Sequence, residues 1–517
     1  MAFTLVSLTL FGAVIVFMAA YGYRISAKTA EDFMLGGRTI GVVVMFFFVL
    51  FAISSAWTFY GFPGLLYTQG PGYVMFIWGS VVGFAGLYMF LGPRLWALAK
   101  INRFLSPVEV LGERYQSKTL RLILSLSILA FIVPYVGIQP LGVGAGFEAL
   151  TGLPAAWGAI YTAVILIVLV MLGGMRIVAW VNIFLGVIYM TALLGSLLWA
   201  VQVLFPDGGL AQAASIVAQS RPELLSDPGP VGAYTPVVLG GTFVVGILAF
   251  SWPHVAIGCM TARDKSLFKW FPLLIFVFGG LFFYILPFIW GSLVAPAAMP
   301  MEELQALANS NGVSLQTEAD RVVQTVISRT LPEWFGVFVL LGVIAAAVST
   351  AAVQLMTSSV IVSRDIIQGL FKPDASDRQI TTWARWAVIA VVVLSLVVSF
   401  LNQGAMALYL TDVSVPGFAQ WAPALVGGLL WKRGTKQGAI AGTLAGVIYL
   451  VLSLVIVVNG ERPLVIGHPV IPSLLVNTLA YIITSLLTPR PGEDIEAQFF
   501  DEVEAYLKAE SGAKAKG

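Results

Sequence analysis

The chain has almost none of the side chains that build metal centres and nucleophilic active sites. Cys259 is the only cysteine among 517 residues, which excludes an internal disulfide and a thiolate metal cluster. Two histidines, His254 and His468, exclude a His-rich metal centre. Charge is scarce as well: 10% of the residues are Asp, Glu, Lys or Arg, where a soluble domain carries roughly 25%. The net charge of +2 is scattered through loops and leaves no footprint for nucleic acid. No His/carboxylate cluster or Ser/Lys pair supports an enzyme. Apolar residues fill the space instead, at 59% of the chain, in repeated runs of the roughly 20 residues that cross a bilayer. The short alternating segments of a β-barrel are missing. The fold class is therefore an all-α polytopic membrane protein.

Hydropathy places thirteen spans near 3–24, 42–68, 73–98, 119–147, 155–173, 178–205, 233–260, 270–297, 332–362, 381–401, 407–431, 437–458 and 467–487. The first lacks a basic leader and a clear cleavage site and reads as a retained span. With the amino terminus outside, 24 of the 28 Lys and Arg residues fall in inner segments. Only Arg221, Arg321, Arg329 and Arg462 stay outside. That asymmetry predicts a plasma-membrane protein with a cytoplasmic carboxyl terminus. Two long outer loops, 206–232 and 299–331, read as connectors or as lids over an outer vestibule. The inner stretch 100–121 reads as an interfacial helix, and the tail 488–517 as one short helix.

Two of the spans are interrupted. In the second, Ile53-Ser54-Ser55-Ala56 is followed by Gly61, Pro63 and Gly64. In the seventh, Gly240, Gly241, Gly246, Pro253 and Gly258 punctuate residues 240–258. Pro253 has no N–H, so the carbonyl of Ala249 loses its helical partner. In hydrocarbon such breaks survive only against protein or a wet cavity, and paired broken helices mark the ion and substrate sites of transporters. A packing interface of small residues is the plainer alternative. The breaks open spans two and seven, so spans two to six and seven to eleven form a 5+5 inverted repeat. The expected units are an extra helix (1–25), the repeats 42–205 and 233–431, a closing pair (437–487) and the tail.

The ninth span carries adjacent hydroxyls, Ser349 and Thr350, among small residues. With the carbonyls of Ala346, Phe51 and Ser54 they form a candidate oxygen cage for a hard cation such as Na⁺. The alternative is that the hydroxyls bond back to their own helix. His254, beside the second break, reads as a neutral, hydrogen-bonded histidine or as a substrate contact.

These residues lie in segments that resemble the sodium:solute symporter family, which includes proline, pantothenate, sialic acid, monocarboxylate and sugar symporters. The resemblance runs through AEDFMLGGRTIG (30–41), SSAWTFYGFPGLLYTQG (54–70), PYVGIQPLGVGAGFEALTG (134–152), GGMRIVAWVNIFLGV (173–187), WPHVAIGCMTARDKS (252–266), AAAVSTAAVQLMTSSVIVSRDI (345–366) and GFAQWAPALVGGLLWKRGTKQGA (417–439). It implies a leucine-transporter-like fold, alternating access, and a shared sodium site at Phe51, Ser54, Ala346, Ser349 and Thr350. The family usually carries Thr-Asp where Val181-Asn182 stands, and that aspartate serves a second cation pathway in some members. Ile53, Val245 and Ala249 replace residues typical of proline carriers. The PYVGIQ and WPH segments look most like the monocarboxylate and pantothenate branches. In that architecture Ser55, Trp57, Thr58, Tyr135, Gln139, Trp252, Pro253, His254 and Gln420 line the substrate pocket, and a half-helix N-terminus would receive a carboxylate. The reading is a monomeric, Na⁺-coupled symporter for a monocarboxylate, with no organic cofactor. Pantothenate, an amino acid, another small solute, or Na⁺-independent facilitation on the same scaffold are the alternatives.

Overall fold

The computed structural model describes residues 2–26, 29–401, 406, 409–458 and 462–513. Lys28, Lys514, Lys516 and the first two residues of the eleventh span (407–408) lie outside the described residues. Among the described residues ten helices are long and apolar enough to cross a membrane. Two further pairs bend at short breaks: Val42–Ala52 with Trp57–Gln69 by 59°, and Pro236–Ser251 with Pro253–Thr261 by 42°. The longest helix, Ala155–Leu204, has 50 residues. Kept straight it would run about 75 Å, more than twice the depth of a hydrocarbon core. It turns at Gly174, where φ is 60° and ψ is −174°. Glycine adopts that backbone freely, and any Cβ there would press on the Phe33 carbonyl oxygen at 3.0 Å. Counting its two halves separately and each bent pair once gives the thirteen spans that hydropathy predicts.

Both breaks have local causes. Val42–Ala52 ends where Ser54 and Ser55 leave helical hydrogen bonding, the Ile53 N–H being the last to reach back four residues, to Val49 at 3.2 Å. At the second break Pro253 offers no N–H, and the chain tightens into a 3₁₀ turn over Leu248–Ser251. There the Trp252 N–H reaches the Ala249 carbonyl at 3.1 Å, so that oxygen regains a partner.

The ninth span, Glu333–Val360, is the centre of the bundle: every residue from Gly342 to Val360 is buried. Its alanines and Gly342 let neighbours close in, and a Cβ on Gly342 would sit 2.3 Å from that of Ala192. The second broken helix lies on the third span in the same manner. Cβ atoms on Gly79 and Gly83 would fall 2.1 and 2.2 Å from the carbonyls of Phe243 and Ile247.

Two loop expectations sharpen. The long loops pack onto the far half of the first broken helix and are more than connectors. Arg221 donates to the Tyr67 carbonyl at 2.9 Å, and Thr68 to Gln316 at 2.8 Å. Beside them lies a cavity of about 460 Å³ lined in part by Glu148, Asp320 and Arg321. The expected interfacial helix in 100–121 is instead a buried one, Pro107–Arg114, with seven of its eight residues enclosed. Charge pairing draws it inward: Arg364 bonds Glu109 at 2.7 Å, and Ser106 and Arg121 bond the buried Asp365 at 2.6 and 3.0 Å. The tail forms helix from Glu493 to Ala513. It docks on the basic face of the bundle, the face opposite the long loops, stacking Phe499 on Phe104.

Candidate cation and substrate site

The Phe51 carbonyl, at the last turn before the first break, is where the broken helix meets the ninth span. Ser349 Oγ lies 3.0 Å from it and Thr350 Oγ1 3.2 Å. Ser349 Oγ is also 2.9 Å from the Ala346 carbonyl. Four of the five predicted cage residues thus present oxygens to one another, and all five residues are buried. The Ser54 hydroxyl bonds back to the Leu50 carbonyl at 2.7 Å, and the Ser54 N–H lies 3.4 Å from the Phe51 carbonyl. The hydroxyls combine the two readings: Thr350 bonds the break alone, whereas Ser349 is shared between the break and the Ala346 carbonyl of its own helix. Thr357, Ser358, Ser359 and Ser363 on the same helix bond to carbonyls of their own helix. Ser349 and Thr350 reach across it to the break. Among the described residues no cluster of three His, Cys, Asp or Glu could hold a metal. A cation here would meet neutral oxygens only, which suits a weakly held, reversible ion.

Gln139 splints the first break. Its Oε1 accepts the Ala56 N–H at 3.1 Å and its Nε2 donates to the Tyr135 carbonyl at 3.4 Å. The N–H groups of Ser55 and Trp57 go to Thr58 Oγ1 and Ser55 Oγ, both at 3.2 Å. The amides expected to greet a carboxylate are therefore already bonded.

At the second break Tyr135, Trp252 and His254 meet. Tyr135 lies 5.7 Å from each of the other two rings, which are 5.4 Å apart. Pro253 sets the bend that brings them together. Phe418 and Phe84 close the group at 6.1 Å from His254 and 5.4 Å from Trp252. Sequence reasoning missed both. Phe418 sits two residues before Gln420, on nearly the opposite side of its helix, and Gln420 was chosen. The Gln420 amide instead bonds Ser473 at 3.1 Å and Asn477 at 3.0 Å on the last span. Trp57 stacks on Phe62 and lies against Phe76, at 5.5 and 5.7 Å, in a separate cluster. Both ring nitrogens of His254, and Nε1 of Trp252 and Trp57, are buried without a hydrogen-bond partner. Buried polar atoms are nearly always paired, so such a concentration marks a place for a polar ligand or water.

Asn182 is buried one turn from the cage, with Nδ2 3.4 Å from the Phe48 carbonyl and no partner on Oδ1.

The model of the sodium:solute symporter family matches residues 33–446. The chain belongs to the sodium:solute symporter family. The symporter is 25% identical to the high-affinity proline transporter PutP of Bacillus subtilis (strain 168), across 94% of this chain and 98% of that one. It is 24% identical to the sodium/pantothenate symporter of Escherichia coli (strain K12), across 89% and 91%. Among solved structures it resembles a Na⁺-coupled sialic acid symporter in its substrate-bound, outward-open state, with a TM-score of 0.76 and 18% identity over 95% of this chain and 99% of that one. Mhp1, a nucleobase-cation-symport-1 family transporter, shares the fold more distantly, with a TM-score of 0.56 at 12% identity over 90% and 97%. The leucine-transporter-like architecture that the family resemblance implies is the architecture of the molecule.

Proposed function

We propose that the symporter couples entry of one Na⁺ to uptake of a monocarboxylate by alternating access. The observation that carries the coupling is the convergence of Ser349, Thr350 and Ala346 on the Phe51 carbonyl. Na⁺ is close in radius to Ca²⁺, whose oxygens lie at about 2.3–2.6 Å, so an octahedral shell has edges of about 3.3–3.7 Å. The oxygens here are 2.9–3.2 Å apart. Opening the cage by about half an ångström and turning the hydroxyl lone pairs inward makes room for the ion. The ion then ties the broken helix to the ninth span, and each half-helix can pivot about it.

The aromatic group at the second break supplies the substrate reading. Trp252 Nε1–H and a protonated nitrogen of His254 are donors without acceptors, as a carboxylate requires. None of the candidate pocket residues is Asp or Glu, so an ammonium group finds no counter-charge there. That distinction favours an acid over proline, as do Ile53, Val245 and Ala249. Pantothenate, itself a monocarboxylate, stays within the reading through the relative in Escherichia coli.

One Na⁺ moving inward across 100 mV releases about 2.3 kcal/mol, and a tenfold gradient adds about 1.4 kcal/mol. A neutral solute moved 1:1 would be concentrated on the order of 400-fold. A monoanion moved 1:1 carries no net charge, leaving about tenfold. Asn182 motivates the single ion, because an amide carries no charge to hold a second.

The reading includes the two repeats 42–205 and 233–431, an outer amino terminus, a cytoplasmic tail and function as a monomer. Proteoliposomes given a panel of labelled acids, with an inward gradient of Na⁺ or of K⁺, test it. Concentrative uptake of a monocarboxylate in Na⁺ alone is expected. Equal uptake in both salts would mean facilitation on the same scaffold, and uptake of proline alone would overturn the substrate.

A further inference from the structure

Away from the transport path, on the basic face, lies a polar pocket of about 300 Å³. It is lined by the end of Pro107–Arg114, the turn 434–437 and the chain at 489–495 that leads into the tail helix. Three cations line it, Arg114, Lys436 and Arg490, and no carboxylate does. Arg114 is 1% exposed. Its Nε and Nη2 donate to the carbonyls of Gly428, Trp431, Lys432 and Gly434, at 3.2–3.5 Å. Those bonds cap the helix Ala422–Leu430, where a cation also suits the dipole. They leave Nη1 buried and without a partner. Burial works against its charge, and the one acid whose field reaches it, Glu496, is 2.9 Å from Arg490 and bonded to it. The N-terminus of the helix Lys436–Val455, twenty residues long, opens on the same pocket. Thr435 caps its Gly438 N–H at 3.2 Å, and the helix dipole at this end favours an anion.

We propose that this pocket binds a phosphate-bearing anion, with Arg114 as its buried anchor and Lys436 and Arg490 at its rim. Because residues 489–495 form one wall, the anion also fastens the tail helix to the bundle. Its occupancy therefore sets how firmly the tail docks, independently of the transported solute. A phospholipid headgroup and free phosphate share this chemistry.

Amide hydrogen exchange on the purified full-length protein tests the site. One arm adds inorganic phosphate in detergent, against chloride at matched ionic strength. The other compares nanodiscs containing phosphatidylglycerol with nanodiscs of phosphatidylcholine alone. Slower exchange at 434–437 and 489–495 is expected in at least one arm, and the responding arm identifies the source. The double variant Lys436→Gln/Arg490→Gln changes two exposed side chains, and Arg490→Lys, which keeps the charge, controls for loss of the Glu496 pair. The double variant should weaken the effect by roughly fivefold per cation removed. Arg114→Gln should abolish it, while uptake reports whether that variant folds. No protection of wild type in either arm, or equal protection of the double variant, would overturn the site.

Discussion

Removing one oxygen from the cage should loosen Na⁺ in a calculable way. Consider Ser349→Ala and Thr350→Val, which keep the volume of a close-packed helix. In the structure each hydroxyl is bonded to the Phe51 carbonyl, at 3.0 and 3.2 Å, and that of Ser349 also to the Ala346 carbonyl at 2.9 Å. A neutral bond of that kind contributes about 0.5–1.5 kcal/mol, whereas a contact to a charged group contributes about 1.5–3 kcal/mol. Binding exchanges the first for the second, so each lost hydroxyl weakens Na⁺ by about 1–2 kcal/mol, or roughly 5–30-fold. The Na⁺ concentration for half-maximal uptake in proteoliposomes should rise by that factor in each single variant. The double variant should approach the product, less any coupling between neighbours. Ser359→Ala is the internal control, because the Ser359 hydroxyl bonds only the Met356 carbonyl of its own helix, at 2.7 Å. It should leave the Na⁺ dependence within about twofold. If Ser359→Ala moves the Na⁺ dependence as much as the other two, the cage is misplaced.

Gly186→Ala tests the same site from behind. Its Cβ would lie 1.8 Å from the Phe51 ring, so the ring must shift at a cost of about 1–3 kcal/mol, and the carbonyl shifts with it. Na⁺ affinity should fall although residue 186 touches no ion; an unchanged affinity with a folded protein would count against Phe51 as a ligand. Trp252→Phe keeps an aromatic ring at the position and removes the unpartnered N–H, and His254→Ala removes the imidazole. Each should raise the KM for the monocarboxylate about tenfold or more, and a KM at the wild-type value in both would move the pocket elsewhere. Asp365→Asn leaves Arg121 with Glu109 at 3.7 Å as its remaining buried partner. It should cost about 3 kcal/mol, the low end for a broken buried pair, seen as a lower thermal midpoint; an unshifted midpoint would mean that the cluster does not hold Pro107–Arg114 in place.

The span pattern and the meeting of Ser349 and Thr350 with the first break were legible because hydropathy and backbone chemistry are local. Pro253 announces its break, and Ser349 beside Thr350 amid alanines announces a polar spot on a buried helix. Partner choice is not local. Gln139 and Gln420 look alike in sequence, yet one braces the first break and the other bonds the last span. The pair that holds residues 107–114 inward, Glu109 with Arg364, joins two segments far apart in the chain, so an amphipathic pattern alone reads as a helix at the membrane surface. Phe84 and Phe418 carry no signal that separates a pocket wall from ordinary core packing.

The central claim is that a single Na⁺, held between the first broken helix and the ninth span, travels with each solute molecule. Dual-label uptake measures it directly, with ²²Na⁺ and a ¹⁴C-monocarboxylate entering the same proteoliposomes. Equal molar entry of the two labels without net current is the predicted result, with both labels lost together in the Ser349→Ala/Thr350→Val variant. Solute entry without ²²Na⁺, or with an inward current, would contradict it.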